Sequence, residues 1–208
     1  MRTLALTALL AAAVSAGVAV HAQMPMNPPG KKDTSLITGG TYAVDPGHTQ
    51  VLFAYDHMGF TRNMGIIAEP SSGSLTIDPK TPAKAKVSVT FPVMNLRTGV
   101  PKLDEHLMKA DFFDAEKFPA ASFTSTSVTV DGQGAEITGN LTIHGVTKEV
   151  TLDAELVGAG TMTMQGKTIE TVGFIAEGII KRSDFGIARA VPLVGDTIEL
   201  KITAAFEK

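Results

Sequence analysis

The segment from Ala135 to Leu156 reads A-E-I-T-G-N-L-T-I-H-G-V-T-K-E-V-T-L-D-A-E-L and carries the clearest structural signal of the chain. Apolar and polar residues alternate on both sides of His144-Gly145, and this alternation is typical of strands that bury one face. Because Gly145 can adopt positive φ without steric cost, His144-Gly145-Val146-Thr147 predicts the turn of a β-hairpin, with a return strand from Lys148 to Leu156. The segment therefore predicts two antiparallel strands.

Six further segments of the chain alternate in the same way, and they are Gln50 to Met58, Gly73 to Ile77, Ala85 to Phe91, Ser122 to Asp131, Thr171 to Lys181 and Asp196 to Glu207. About eight short strands joined by turns predict an antiparallel sheet, which has to protect its edges. A sandwich and a closed barrel both do so. Eight antiparallel strands can close around a cavity for one small ligand.

One segment breaks the alternation. Val100 to Met108 reads V-P-K-L-D-E-H-L-M and has a proline where a helix would begin. Its leucines recur at helical spacing and two phenylalanines follow, so the segment carries too many apolar side chains to lie in water. We expect a short helical insert that packs over one end or side of the barrel through Leu103, Leu107, Phe112 and Phe113.

The composition excludes several classes of protein. The 208 residues fit one domain, and 18 Lys and Arg against 21 Asp and Glu give no basic surface for nucleic acid. The chain has no cysteine, which excludes disulfides, thiolate catalysis and cysteine-bound metals. We therefore expect no nucleic-acid partner.

The first residues resemble an export signal. Arg2 precedes an apolar run from Thr3 to Val20, and Val20-His21-Ala22 is a small-x-small cleavage site. A membrane anchor is the alternative, but the many Ala, Gly, Thr and Ser residues favour a signal peptide that is cleaved after Ala22. Residues 23–40 are dense in proline and glycine and predict a flexible lead. The domains expected are a signal peptide over 1–22, this lead over 23–40 and a β-barrel over 41–208.

Four histidines remain after Ala22, at His48, His57, His106 and His144, and none stands in H-x-H or H-E-x-x-H spacing. We therefore expect no metal site. The chain also has no G-x-S-x-G motif and no P-loop. Asp56 and His57 are neighbours on a strand, so they point to opposite faces and cannot act as an acid–base pair. We expect no catalytic residue.

Several motifs together resemble the YceI-like family. They are Tyr42 to Phe53 with Asp56-His57-Met58-Gly59, then Leu103 to Leu107 with Asp111-Phe112-Phe113-Asp114, the hairpin Gly139 to Lys148, and Asp184-Phe185-Gly186-Ile187 with Val194-Gly195-Asp196. The resemblance extends from about Thr41 to Phe206. It implies an all-β fold, namely a lipocalin-like, extended eight-stranded antiparallel barrel, and location in the periplasm.

The resemblance also implies a function, which is to bind a polyisoprenoid chain in the lumen. Members of the family are linked with quinones, other long-chain amphiphiles and stress responses, and are treated as binding proteins. We therefore expect no cofactor beyond a bound isoprenoid lipid or quinone. The expected partner is such an amphiphile, and a carrier of this kind would contact a membrane or a membrane protein transiently.

The residues that would line this lumen follow from the strand faces. Asp56 should avoid an apolar cavity, so the opposite face of its strand, which carries Phe53, Tyr55 and His57, is predicted to point inward. Val87, Val89 and Phe91 join it from a second strand, and Phe174 and Ala176 from a third. His57 has a second interpretation, as a core histidine with its hydrogen bonds satisfied.

Methionine adapts to irregular apolar ligands, and five methionines are candidates for the same lumen, with ordinary core or rim positions as the alternative: Met58, Met64, Met94, Met162 and Met164. Burying a chain of about twenty carbons is worth roughly 16 kcal/mol before ordering and association costs. The hypothesis is a lipid carrier or store. The alternative is a barrel enzyme that acts on a hydrophobic substrate and loses turnover when a histidine is replaced.

Overall fold

The computed structural model describes residues 27–132 and 134–208. The predicted signal peptide and the first residues of the lead lie outside this range, so the export prediction is an expectation from sequence alone. In the described residues no helix is long and apolar enough to cross a membrane.

The described chain is mostly β-structure with one short α-helix, α1 (Pro101–Leu107), which confirms the predicted helical insert. Four short 3-10 helices lie at Thr34–Leu36, Pro82–Lys84, Val93–Asn95 and Arg182–Phe185. The strands are β1 (Gly40–Val44), β2 (Gln50–His57), β3 (Thr61–Ala68), β4 (Ser72–Ile77), β5 (Lys86–Pro92), β6 (Leu96–Arg97), β7 (Ala120–Asp131), β8 (Gly134–Ile143), β9 (Val146–Met164), β10 (Lys167–Lys181) and β11 (Thr197–Glu207).

These strands form one closed antiparallel barrel. Three positions of the barrel are each shared by two strands. The first holds β1 and β2, which both pair with β11. The second holds β4, which pairs with β1, and β3, which pairs with β2, and the third holds β5, which pairs with β4, and β6, which pairs with β3. The strands β7 to β11 occupy the other five positions, which gives eight in total. Pairing of β1 with β11 closes the sheet into a ring, so the barrel is confirmed and a sandwich is excluded.

The predicted hairpin forms, but its turn is shorter than the predicted four residues, because Val146 and Thr147 already belong to β9. Residue Ile143 of β8 pairs with Val146 of β9, and the two turn residues His144 and Gly145 have φ of 52° and 73°. Positive φ at both central positions matches the right-handed twist of the flanking strands. The sequence pattern did not predict β3, nor the extension of β9 and β10 to the turn at Gln165-Gly166.

One end of the barrel, here called the lower end, is filled with apolar side chains. These are Ile37, Tyr42, Leu75, Leu156, Ala159, Val172 and Phe206, each no more than 6% exposed. Ile37 comes from the segment that the sequence predicts to be a flexible lead. The structure differs from that prediction over residues 31–40, because Lys31 pairs with Ala159 and Ile37 is buried in this cluster.

The lead docks on the barrel because β9 has a glycine at the point of contact. A Cβ at Gly160 would stand 2.4 Å from the carbonyl oxygen of Pro29, so only glycine lets the lead approach the strand so closely. The backbone of Lys31 then exchanges two hydrogen bonds with Ala159, with N–O distances of 2.9 and 3.0 Å. Proline and glycine density alone does not reveal such a docking strand.

A buried carboxylate joins the lead, β1, β10 and the last residue at this end. Glu170 accepts hydrogen bonds from the backbone N–H of Thr38 (2.9 Å), the Thr38 hydroxyl (2.7 Å) and the Tyr42 hydroxyl (2.5 Å). The Lys208 ammonium lies 3.4 Å from it. Burial by itself raises the pKa of Glu170, but these hydrogen bonds and the Lys208 charge outweigh it and lower the pKa to about 2.

Candidate ligand cavity

The interior of the barrel contains a cavity of about 760 Å³. This volume lies within the roughly 300–1,000 Å³ typical of small-molecule sites. Inward-facing residues of β2 to β5 and β7 to β11 line it, and most of them are apolar. The cavity extends from the lower-end cluster, where Leu75, Leu156 and Phe206 contribute to its wall, to the opposite, upper end.

The structure places all eight predicted lumen residues on the wall of this cavity: Phe53, Tyr55, His57, Val87, Val89, Phe91, Phe174 and Ala176. Asp56 is exposed on the outer face, as its charge requires. Phe53, Tyr55 and His57 are half-buried although they point inward, because they border empty space rather than packed neighbours. Contact of these residues with a ligand stays a prediction.

A close backbone approach positions the first of these side chains. Phe53 pairs with Gly65 on β3, and a Cβ at Gly65 would stand 2.2 Å from the Phe53 Cζ atom. The tip of the Phe53 ring therefore occupies the space that a side chain at position 65 would need. The centroid of this ring is 6.5 Å from that of Tyr55 in a stacked arrangement. These two rings form an aromatic part of the wall near the upper end.

The upper end is covered by two segments. The first is α1 with the turn that follows it, and its side chains Leu103, Leu107, Phe112 and Phe113 line the cavity, as predicted from their apolar character. They are half-buried. The second segment is residues 182–196, which contribute Phe185 and Ile187, both nearly fully buried.

Arg182 holds the second segment in shape. Its guanidinium donates four hydrogen bonds of 2.8–2.9 Å to the carbonyl oxygens of Ile187, Arg189, Val194 and Gly195. Burial lowers the pKa of Arg182, while the charge of Asp196 and the Tyr55 hydroxyl act in the opposite direction. Arg182 also lines the cavity, and its side chain therefore brings a positive charge to the upper end.

The two covering segments are joined by a cluster of charged side chains. Asp111 Oδ2 lies 3.0 Å from Arg189 Nη1 and 3.1 Å from His106 Nε2. A hydrogen bond from His106 is the main cause that lowers the pKa of Asp111, and the Arg189 charge adds to it. His106 packs edge-on against Phe112, with ring centroids 5.0 Å apart. The ion pair between Asp111 and Arg189 connects the helical insert to residues 182–196.

The structure does not place the five candidate methionines in the lumen. Met58, Met64, Met94, Met162 and Met164 are 43–64% exposed, and none of them lines the cavity. Met64 lies between the inward-facing Asn63 and Gly65, so it points outward. Met162 and Met164 lie on the β9–β10 extension beyond the barrel. The methionines are excluded from the lumen by the face of the strand on which they lie or by their position beyond the barrel. Residue type alone does not predict either of these.

The other histidines have structural contacts. His48 Nδ1 lies 2.5 Å from Asp45 Oδ2, and this hydrogen bond raises the pKa of His48. His144 Nδ1 lies 3.2 Å from the carbonyl oxygen of Phe185, and its ring packs edge-on against Phe118. Within residues 27–132 and 134–208, no three His, Cys, Asp or Glu side chains group as a metal site would require.

Sequence reasoning missed several lining residues. Ile137, Leu152 and Leu200 face inward by the same alternation that identified Phe53, so this signal was present for each of them. Asn63 was missed because β3 itself was not predicted. Arg182 follows the last strand-like residue of β10, and nothing in the local pattern distinguishes it from a solvated arginine.

Residues 42–206 match the family model of the YceI-like domain. The chain belongs to the YceI-like family. It is 41% identical to Protein YceI of Escherichia coli over 156 residues, which cover 75% of this chain and 80% of that protein.

Solved structures of YceI-like proteins agree with the fold. The Campylobacter jejuni YceI protein is 31% identical and superposes with a TM-score of 0.62, over 74% of this chain and 89% of that chain. A polyisoprenoid binding domain from Saccharophagus degradans is 13% identical and superposes with a TM-score of 0.54, over 80% of this chain and 97% of that chain. The second likeness concerns the fold alone.

Proposed function

We propose that this YceI-like protein is an exported, periplasmic binding protein that holds a polyisoprenoid or a similar long-chain amphiphile in its barrel, for carriage or storage. The observation that carries the proposal is the cavity of about 760 Å³ with its predominantly apolar wall. A prenyl chain is nearly insoluble in water, so moving it through an aqueous compartment requires such an apolar enclosure. Carriage also implies transient contact with a membrane or a membrane protein.

The relatives support the same proposal. Membership of the YceI-like family extends over nearly the whole barrel, and the Saccharophagus degradans neighbour is a polyisoprenoid binding domain of the same fold. The apolar wall supplies the main driving force for such a ligand, since each buried CH₂ contributes about 0.8 kcal/mol before the costs of association.

The direct test is to purify the protein natively, extract it with organic solvent and analyse the extract by mass spectrometry. We expect a long-chain isoprenoid or related amphiphile at near-stoichiometric amount. Protein purified after denaturation and refolding is the control, and it should yield none. An extract without lipid, together with no binding of added prenyl ligands, would contradict the proposal.

The cavity wall is tested by placing a charge in it. Phe53→Asp and Phe91→Asp should each weaken binding of a prenyl ligand by at least about a hundredfold, because desolvating an unpaired carboxylate costs several kcal/mol. Ser88→Asp is the matched control, since Ser88 lies on the outer face of β5 between the lining residues Val87 and Val89. It should bind like wild type.

Each variant is first shown to be folded by its thermal transition. Folded Phe53→Asp and Phe91→Asp variants that retain wild-type affinity would show that the ligand does not occupy this cavity. The enzyme alternative makes a different prediction, namely conversion of a bound hydrophobic substrate that is lost when His57 is replaced. Mass spectrometry of the ligand before and after incubation separates the two hypotheses.

A further inference from the structure

The polar side chains of the cavity wall lie mainly at its two ends. At the upper end they are Tyr55, His57, Asn63, Arg182 and Arg189, and at the lower end they are Thr34, Ser35 and Lys86. Over the described residues, the wall includes no aspartate and no glutamate. The charged side chains that border the cavity are therefore all positive, but Lys86 alternates with the inward-facing Val87 and lies at the lower rim on the outer face of β5.

At the upper end, two polar side chains have unused hydrogen-bonding capacity. Tyr55 and His57 lie on the inward face of β2, and no hydrogen bond joins either side chain to another described residue. Asn63 is the neighbour of Tyr55 in the β2–β3 register. Its Oδ1 accepts from Thr61 (2.8 Å), which leaves its amide N–H groups available. A ligand oxygen at this place could accept hydrogen bonds from several of these side chains.

The charge of Arg182 is also uncompensated by direct contact. Its hydrogen bonds go to four carbonyl oxygens, and no described carboxylate lies within ion-pair distance of it. The Asp196 carboxylate accepts from the backbone N–H and hydroxyl of Ser183 instead. Arg189 differs, since Asp111 neutralises it at 3.0 Å. A half-buried cation without a counter-ion favours an anionic ligand group.

The lower end is a weaker place for such a group. Thr34, Ser35 and Lys86 are exposed, so solvent and salt screen the Lys86 charge. The Ser35 hydroxyl already donates to Asp33 at 2.7 Å. The adjoining cluster of Ile37, Leu75, Leu156 and Phe206 offers only apolar contacts to a ligand. This end therefore suits the hydrocarbon part of an amphiphile.

We infer that the amphiphile of the proposed function binds in a single orientation, with an anionic head group (a carboxylate or a phosphate) against Tyr55, His57 and Arg182 and its hydrocarbon tail directed toward the lower end. The inference rests on the proposed binding function and adds the class of head group and the direction of the chain. A cationic head group is rejected, because it would lie beside Arg182 without a carboxylate to pair with.

The first test uses prenyl ligands that share one tail and differ only in the head group. We expect the carboxylate and the phosphate to bind at least about tenfold more tightly than the matched alcohol, because a hydrogen bond to a charged group is worth more than a neutral one. The matched amine should bind most weakly. Equal affinity for all four head groups would overturn the inference. Tighter binding of either the carboxylate or the phosphate shows which of these two head groups the site prefers.

The second test removes one hydroxyl group. Tyr55→Phe should weaken binding of the prenyl carboxylate about tenfold and leave binding of the head-less hydrocarbon unchanged. Lys201→Met, on the outer face of β11, is the control and should bind the carboxylate like wild type. Lys86→Met makes the corresponding test at the lower end. The reverse result, with loss in Lys86→Met and none in Tyr55→Phe, would show the opposite orientation and overturn the inference.

Tyrosine fluorescence gives an independent measure of orientation. The chain has two tyrosines and no tryptophan. Tyr42 is buried against Glu170, whereas Tyr55 borders the cavity. A long-chain carboxylate with a nitroxide near the head should quench Tyr55 more than one with the nitroxide at the tail end. The difference should vanish in Tyr55→Phe. Stronger quenching from the tail-end label would contradict the proposed orientation.

The outcomes for the two proposals are distinguishable. If no prenyl ligand binds, the carrier function itself is wrong. If all of them bind alike and Tyr55→Phe has no effect, the cavity is a lipid site without a preferred head group, and only the orientation is wrong. Tyr55→Phe removes a hydroxyl that bonds to no described residue, so the variant should fold, and its thermal transition verifies this.

Discussion

The lower and upper ends of the barrel are built from the same alternating strands, yet their interiors differ. At the lower end Tyr42 and Val172 are completely buried, and Phe206 is 2% exposed. At the upper end Phe53 and Tyr55 also point inward, but they are only half-buried because they border the cavity. A packed cluster therefore closes the lower end, whereas the inward side chains of β2 near the upper end border the cavity.

The difference shows that one barrel can separate stability from binding. Tight packing gives the lower end its contribution to folding free energy, and the Glu170 network joins the chain ends there. The upper end leaves apolar surface uncovered, which costs stability in the empty protein and becomes available to a ligand. Mutations at the two ends should therefore affect different quantities.

The largest expected effect comes from matched phenylalanine truncations. Phe206→Ala should lower the free energy of unfolding by about 3–5 kcal/mol, because it opens a cavity in packed surroundings. Phe53→Ala should lower it by only about 1 kcal/mol, since the ring already faces a void and loses part of one buried surface. Urea unfolding of both variants measures the contrast. Equal losses would show that the two ends are packed alike.

The second effect concerns pH. The pKa of Glu170 is about 2 in the folded protein against 4.5 ordinarily. As the pH falls, Glu170 is therefore protonated in the unfolded protein before it is protonated in the folded protein. The stabilisation, about 3 kcal/mol, is fully present above pH 4.5 and is lost as the pH falls toward 2. Denaturant unfolding between neutral and acid pH measures it.

Glu170→Gln should reduce this pH dependence. Glu177→Gln is the control, because Glu177 lies on the same strand but is exposed and pairs with Lys201 on the outer face. An unchanged pH profile in Glu170→Gln would mean that this carboxylate does not join the lower end as described.

A smaller effect is expected at the helical insert. Phe113 lines the cavity and is half-buried, so Phe113→Ala should cost about 1–2 kcal/mol, less than Phe206→Ala. Thermal and urea unfolding measure it. A change below roughly 0.5 kcal/mol, the range of ordinary surface substitutions, would show that the insert is not docked on the upper end.

The smallest effect on stability is expected from Asp111→Asn. Asp111 joins His106 and Arg189 across the two covering segments, but the cluster is partly exposed, and such ion pairs contribute little. The Tm should fall by no more than about 2 °C. The dissociation rate of a bound prenyl ligand should rise, as stopped-flow displacement measures. A large fall in Tm without faster release of the ligand would show that this contact stabilises the fold and does not retain the ligand.

Much of the fold was predictable because the signal is local. Alternation around Val150 and Leu152, with a turn at His144-Gly145, specifies a hairpin wherever it occurs. The inward face of β2 followed from the charge of Asp56. The docking of the lead and the exposure of the methionines were not predictable in this way, because both depend on neighbours far along the chain, such as Gly160 for Pro29.

Periods of a few residues were therefore enough to predict most of the strands, the short helix and the inward faces of β2 and β5. The packing of the lower-end cluster and the space left beside the inward side chains of β2 follow only from the folded barrel. Tyr42 and Tyr55 occupy equivalent inward positions on β1 and β2. Glu170, more than a hundred residues away, fills the space around one of them, and nothing described fills the space around the other. Whether an inward side chain meets a neighbour or a void is fixed by strands that are distant in sequence.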